Sequence, residues 1–179
     1  MRTFLVVRAE NSGLVKGTEK VGEISAEDIK VMFDTNVTGL INVKILSFRA
    51  NWKMTQAILP NMKERNTGTI INIGSVAGRN PYPGGSIYCA TKSAVQTFTE
   101  SLRHELISTR IRVINVDPGQ VETEFSIVRF RGDQEKAKKV YEGVTPLTAA
   151  DVADVIVFAA SRPENVVIAD VPTPHPKLG

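Results

Sequence analysis

Cysteine is almost absent from this 179-residue chain, where Cys89 stands alone. A single thiol has no intrachain partner, which excludes a disulfide scaffold and a cysteine-rich zinc module. A reducing, cytoplasmic setting is therefore expected. Long hydrophobic runs are missing too. The opening run Phe4, Leu5, Val6, Val7 is cut off by Arg8, and no window reaches the roughly 18 uncharged apolar residues of a membrane span, so neither a span nor a signal-peptide core is expected. Charge of one sign is scarce: 22 Lys+Arg stand against 19 Asp+Glu, a net charge of +3. The largest basic cluster, Lys136, Lys138 and Lys139, sits beside Asp133 and Glu135 and reads as a solvated helix face. Basic and aromatic residues do not interleave on one predicted face, so no nucleic-acid partner is expected. The two histidines, His104 and His175, have no partner pattern, and no metal site is expected. What is present is a 42% hydrophobic composition, enough for one sizeable core and a single domain over residues 1–179.

Breaker residues and apolar spacing divide the chain. Phe4 to Val7 is β-prone, and Leu14 to Gly22 is a loop. Ser25 ahead of Ala26, Glu27 and Asp28 is a helix start. Apolar residues from Ile29 to Met62 then recur at steps of three, four or seven, implying one long helix or two joined helices to about Lys63. Thr69 to Ile73, between Gly68 and Gly74, is a buried strand. After the Gly/Pro loop Gly78 to Gly85, Ser86 to Ser108 carries Ile87, Ala90, Ala94, Phe98, Leu102 and Leu106 at helical spacing. Ile111 to Val116 is a second β-branched strand, closed by Asp117, Pro118 and Gly119. A polar loop, a charged helix near Gln134 to Glu142, an apolar helix from Thr148 to about Ser161 and a strand at Val166 to Ile168 follow. Residues 171–179 form a Pro-rich tail. Strands alternating with helices predict an α/β fold with a doubly wound parallel sheet. Ligands bind such sheets beyond the carboxyl ends of the strands, which points to Gly74-Ser75, to Asp117-Pro118-Gly119 and to whatever follows Val7.

Tyr88 and Lys92 lie four apart on one helix face. Composition alone yields such a pair with a chance of roughly 0.2, so the pair by itself is weak. Context strengthens it. Ser75 ends a buried strand, Tyr88 follows across the Gly/Pro loop, and Pro118-Gly119 ends the next strand, so all three face one crevice. Each also has an ordinary reading: a Ser after a strand caps or turns the chain, Asn36 caps a helix, and Pro-Gly is a turn. Cys89 reads as a small buried filler.

These residues resemble the short-chain dehydrogenase/reductase family. The resemblance rests on I-I-N-I-G-S-V-A-G (Ile70 to Gly78), S-I-Y-C-A-T-K (Ser86 to Lys92), N-V-T-G (Asn36 to Gly39) and P-G-Q-V-E-T (Pro118 to Thr123), in that family's arrangement. The run E-T-E-F-S-I-V-R-F-R-G-D (Glu122 to Asp133) is similar to the NADP-dependent 3-hydroxy acid dehydrogenases within it. The resemblance implies a Rossmann-like fold and an NAD(P)-dependent oxidoreductase. It would pass a hydride between nicotinamide and a small 3-hydroxy acid, with NADP as the cofactor and NAD as the alternative. Tyr88 would be the general acid/base, and a neighbouring Lys92 ammonium would lower its phenol from about 10 toward neutrality. Ser75 would hydrogen-bond the reacting oxygen, and Asn36 would hold a water in a relay toward Lys92. Asn11, Gly13, Tyr88, Lys92, Pro118, Gly119, Val121 and Thr123 would meet the cofactor. Arg129 and Arg131 would clamp a substrate carboxylate. Dimers or tetramers are expected by the same likeness.

Two departures accompany it. The family's N-terminal βαβ half, whose glycine-rich turn receives the cofactor pyrophosphate, has no counterpart before Gly68, and its usual Asn-Asn-Ala-Gly reads Glu10-Asn11-Ser12-Gly13. The expected fold is thus a partial Rossmann-like domain with Phe4 to Val7 at an open sheet edge. Lys44 to Met54 is an insertion of eleven residues in a helix, which extends the stripe through Ile45, Phe48 and Trp52. The competing expectation is an inactive fragment that docks on a partner through helices 36–63 and 86–108.

Overall fold

The computed structural model describes residues 6–8, 13–41 and 54–173. Phe4, Leu5, Asn11, residues 44–53 of the insertion and the tail beyond Thr173 lie outside the described residues. Four strands, β1 (Val6–Arg8), β2 (Gly68–Ile73), β3 (Ile111–Pro118) and β4 (Asp170–Thr173), form one parallel sheet in the order β1-β2-β3-β4. Between β1 and β2 run α1 (Ala26–Phe33), a π-helical turn (Asp34–Thr38), α2 (Gly39–Ile41) and α3 (Met54–Arg65). The helix α4 (Ser86–Glu105) joins β2 to β3, and α5 (Phe125–Arg129), α6 (Gln134–Lys139) and α7 (Ala149–Ala160) lead to β4.

The pleat divides the β-branched residues between two faces. Ile70 and Val113, opposite one another in register, pack under Met62 of α3 and Leu102 of α4. Their neighbours Ile71, Ile114 and Val116 pack against Ala159 and Ala160 of α7. Burial of side chains this size contributes about 1.5–3 kcal/mol each, and with both faces covered β3 is buried along its whole length, its polar residues Arg112, Asn115 and Asp117 included. The helices start where the caps stand: Ser25 Oγ accepts from Asp28 N, and Thr148 and Asp151 form a reciprocal capping box.

Three expectations need correction. The third strand runs to Pro118 rather than Val116, because β4 pairs with Asp117 and Pro118 through Pro172 and Thr173. The last strand is Asp170–Thr173, not Val166 to Ile168, so the first residues of the expected Pro-rich tail belong to the sheet. Pro172 is tolerated there because β4 is an edge. Val166 instead turns its carbonyl to Arg112 at 3.4 Å. The polar segment after β3 contains the short helix α5, which its Thr/Glu-rich start conceals.

At the amino ends of the strands the buried Arg112 is fully bonded. Its guanidinium donates to Thr69 Oγ1 and to the carbonyls of Ala159, Ala160, Arg162 and Val166. It thereby closes the C-terminus of α7, whose last carbonyls lack helical partners. No described helix is long and apolar enough to cross a membrane.

Candidate active site

Three polar side chains converge at the carboxyl ends of β2 and β3. Ser75 follows β2 after Gly74, is buried, accepts from Ala77 N at 3.1 Å and donates weakly to the Pro118 carbonyl at 3.4 Å. Tyr88 and Lys92 stand one turn apart on the first half of α4, both buried. Lys92 Nζ lies 5.9 Å from the centre of the Tyr88 ring and donates to the Ile73 carbonyl at 3.1 Å. Phe125 closes on the other side of Tyr88, with ring centres 5.5 Å apart.

Two cavities meet at this cluster. The first, about 310 Å³, has Lys92 on its floor and Gly13, Pro118, Gly119, Val121 and Thr123 among its walls. The second, about 430 Å³, runs past Tyr82 and Arg129 to Tyr141. Ser75 and Tyr88 border both, so a group bound at the Tyr88 hydroxyl is reached from either side. The Arg129 guanidinium sits 5.2 Å over the Tyr82 ring, half-buried, and its Nε has no hydrogen-bond partner among the described residues. A buried donor left unpaired is costly, and an anion from the cavity would satisfy it.

Burial governs the charges. It pushes the Tyr88 phenol up to about 12, against a hydrogen bond from Ser75 that lowers it. It pulls Lys92 down to about 7, against the attraction of Asp117. The expectation that Lys92 lowers the Tyr88 phenol is therefore corrected. The lysine is turned to the Ile73 carbonyl, and its own charge is weakened by the burial that raises the phenol.

The other sequence-chosen residues separate. Asn36, on the π-helical turn, is buried and bonded to the backbone of Leu14 in both directions at 2.8 Å, and its amide also donates to Thr91 Oγ1 at 3.0 Å. It ties the 13–20 loop to α4 and borders neither cavity. Arg131 is exposed and paired with Glu19 and Asp28 at 3.3 and 3.0 Å, away from the cavities. Of the two arginines proposed as a clamp, only Arg129 faces the site. Asn11 lies outside the described residues. Sequence reading missed Tyr82, Phe125 and Tyr141, and it placed Asp117 at the strand end without giving it a role. One signal for Tyr82 existed: a Cβ at Gly85 would come within 2.3 Å of its ring, so Gly85 makes room for it.

The short chain dehydrogenase family model matches residues 5–134. The chain belongs to this family. Among curated short-chain dehydrogenases it is 51% identical over 164 residues to an NADP-dependent 3-hydroxy acid dehydrogenase of Schizosaccharomyces pombe, covering 92% of this chain and 59% of that one. It is 46% identical to the NADP-dependent 3-hydroxy acid dehydrogenase YdfG of Salmonella typhi, over 92% of this chain and 62% of the relative. Among solved structures, the closed form of serine dehydrogenase complexed with NADP+ superposes with a TM-score of 0.84 at 43% identity, covering 95% of this chain and 63% of that one. The chain thus spans about three-fifths of the length of these relatives. The likeness confirms the Rossmann-like α/β reading of the sheet.

Proposed function

We propose that this chain carries the acid–base centre of an NADP-dependent short-chain dehydrogenase acting on a small 3-hydroxy acid. The observation that carries the reading is the position of Tyr88 and Ser75 at the junction of two cavities, one floored by Lys92 and one bearing Arg129, whose Nε has no hydrogen-bond partner among the described residues. The names of the relatives support the same substrate class and cofactor.

The first cavity fits the nicotinamide end of the cofactor. Gly13, Gly119 and Lys92 all line it, so a flat ring would lie against the glycines and its ribose would come toward Lys92 Nζ. Among the described residues no glycine-rich helix start offers a pyrophosphate cradle, so the fit is argued for the nicotinamide end alone. When bound, nicotinamide supplies the hydride chemistry. The chain supplies the rest. Tyr88 exchanges the hydroxyl proton of the substrate, Ser75 orients the same oxygen, and Lys92 offers its remaining N–H donors to the ribose of the nicotinamide half. Arg129 receives the carboxylate, which sets the distance between the acid group and the reacting carbon, while Phe125 keeps water from the Tyr88 ring.

Purified protein titrated with NADPH and followed by nicotinamide fluorescence tests the reading, beside Tyr88→Phe. Saturable binding in both, with 3-hydroxy acid oxidation only in the parent, is the expected result. Absence of saturable binding sinks it. Capture of a full-length relative without NADPH uptake would replace it with a docking role.

A further inference from the structure

Lys92 is a buried cation with a single hydrogen bond among the described residues, which poses the question of what keeps it charged. The answer lies on the sheet face that α4 covers. Side chains alternate along a strand, so Val113, Asn115 and Asp117 share one face of β3, and Ile70, Asn72 and Gly74 continue it on β2 and just beyond. Asn72 confirms the direction by donating to Thr99 of α4 at 2.8 Å. At Gly74 the face has no side chain, and Asp117 fills the space. A Cβ built on Gly74 would fall 1.9 Å from Asp117 Oδ1. The carbonyl that holds Lys92 Nζ belongs to Ile73, the residue immediately before that gap. Carboxylate and ammonium therefore lie on the same side of the same strand end, both nearly inaccessible at 1% exposure.

Asp117 is not Lys92's alone. Its Oδ2 accepts from Arg79 Nε at 2.6 Å, Arg79 reaches on to Asp170 at 3.1 Å, and Arg103 of α4 stands 3.6 Å from Asp170. These alternating charges run from the buried strand end to solvent. The groups facing Asp117 are Arg79 from the turn after β2 and Lys92 from α4, with Asp170 and Arg103 one step further. Those facing Lys92 are Asp117 from β3 and Tyr88 on its own helix.

We propose that Asp117 is a positioning residue for Lys92: its carboxylate, seated in the space left by Gly74, holds the lysine in its ammonium form, and Arg79 competes for that carboxylate and sets how strongly it does so. The proposal rests on Lys92 as the partner of Tyr88. Attraction by Asp117 raises Lys92 against its burial. A compact ammonium in a low-dielectric site responds strongly to one fixed carboxylate. The reaction class therefore depends on a residue that touches neither substrate nor nicotinamide.

The test reads Lys92 directly. In lysine-labelled protein the Lys92 13Cε resonance, assigned by its loss in Lys92→Met, is titrated from about pH 5 to about pH 11. The parent is expected to titrate near 7. Asp117→Asn lowers the midpoint, and Arg79→Gln, which frees the carboxylate, raises it. Loss of packing alone would not move the two variants in opposite directions. A midpoint in Asp117→Asn at or above that of the parent overturns the proposal, as does Arg79→Gln that leaves the midpoint in place or lowers it. Should Asp117→Asn fail to fold, the Arg79→Gln shift decides. Neither measurement needs turnover, so a protein that binds no NADPH still answers it, and the NADPH titration answers separately for the proposed reaction.

Discussion

Two buried cations sit at opposite ends of the same sheet and are treated in opposite ways. Arg112, at the amino ends of the strands, is surrounded by one hydroxyl and four carbonyls. Lys92, at the carboxyl ends, has one carbonyl among the described residues. Burial lowers both, but only the lysine is brought down to about 7. A guanidinium with its fork filled is a fastening, whereas an ammonium with donors to spare can change its charge and bond something new. Saturation marks the end of the sheet that holds the fold together, and shortage marks the end that reacts.

The contrast can be broken at either end. The largest effect is expected at the reactive end, where Tyr88→Phe removes the proton-transferring hydroxyl. Turnover should fall by about a hundred- to ten-thousand-fold, while NADPH binding and the melting temperature stay near those of the parent. At the other end, Arg112→Met strands the carbonyls that close α7 and should lower stability by about 3 kcal/mol in urea unfolding, since removing a buried charged donor orphans its acceptors. The same exchange at Lys92 should have the opposite sign. Lys92→Met removes an under-bonded buried charge and is expected to leave stability unchanged or raise it by about 1 kcal/mol, with turnover abolished. Equal destabilisation by the two methionines would erase the distinction.

A pH series sharpens it. The native state releases the Lys92 proton near 7, and an unfolded chain does so at the ordinary 10.5. Between those values the unfolded state holds more protons, so stability rises with pH. Tyr88 acts the other way: its phenol keeps its proton to about 12 when folded and loses it near 10 when unfolded. Stability from this group is complete below 10 and declines as pH climbs toward 12. Urea midpoints should therefore rise from pH 7 to 10 in the parent, and this rise should be absent in Lys92→Met. The smallest effect is expected away from both ends, at the capping box: Thr148→Ala should cost about 1 kcal/mol without moving the Lys92 titration.

Much of this was legible from residue order. The strands β2 and β3, the helix α4 and the junction of Ser75, Tyr88 and Lys92 follow from short β-branched runs, breakers and a four-residue step. What escaped has physical reasons. Proline spoke against a strand at Pro172, since the sequence alone does not tell an edge from a centre. Arg129 and Arg131, two apart on the same run, look alike as letters, yet one faces the cavity over Tyr82 and the other is held by Glu19 and Asp28. The charge balance at Lys92 was misjudged because burial outweighs a favourable neighbour, and burial depends on the packing of α4 against β2 and β3. Asp117 was placed at the ligand-facing strand end with no charge partner, because Arg79 lies 38 residues away in sequence.

Pro172 has one more effect. β3 donates to the odd-numbered carbonyls of β4, from Asn115 N to Ala169 and from Gly119 N to Thr173, so the peptide nitrogen of Pro172 points away from the sheet, where it has no hydrogen to give. A fifth strand laid along that margin would meet an acceptor with no donor to answer it. The sheet is consequently directional as a template: its β4 margin resists extension, and any strand that joins it, from this chain or another, is steered to the side of Val6–Arg8.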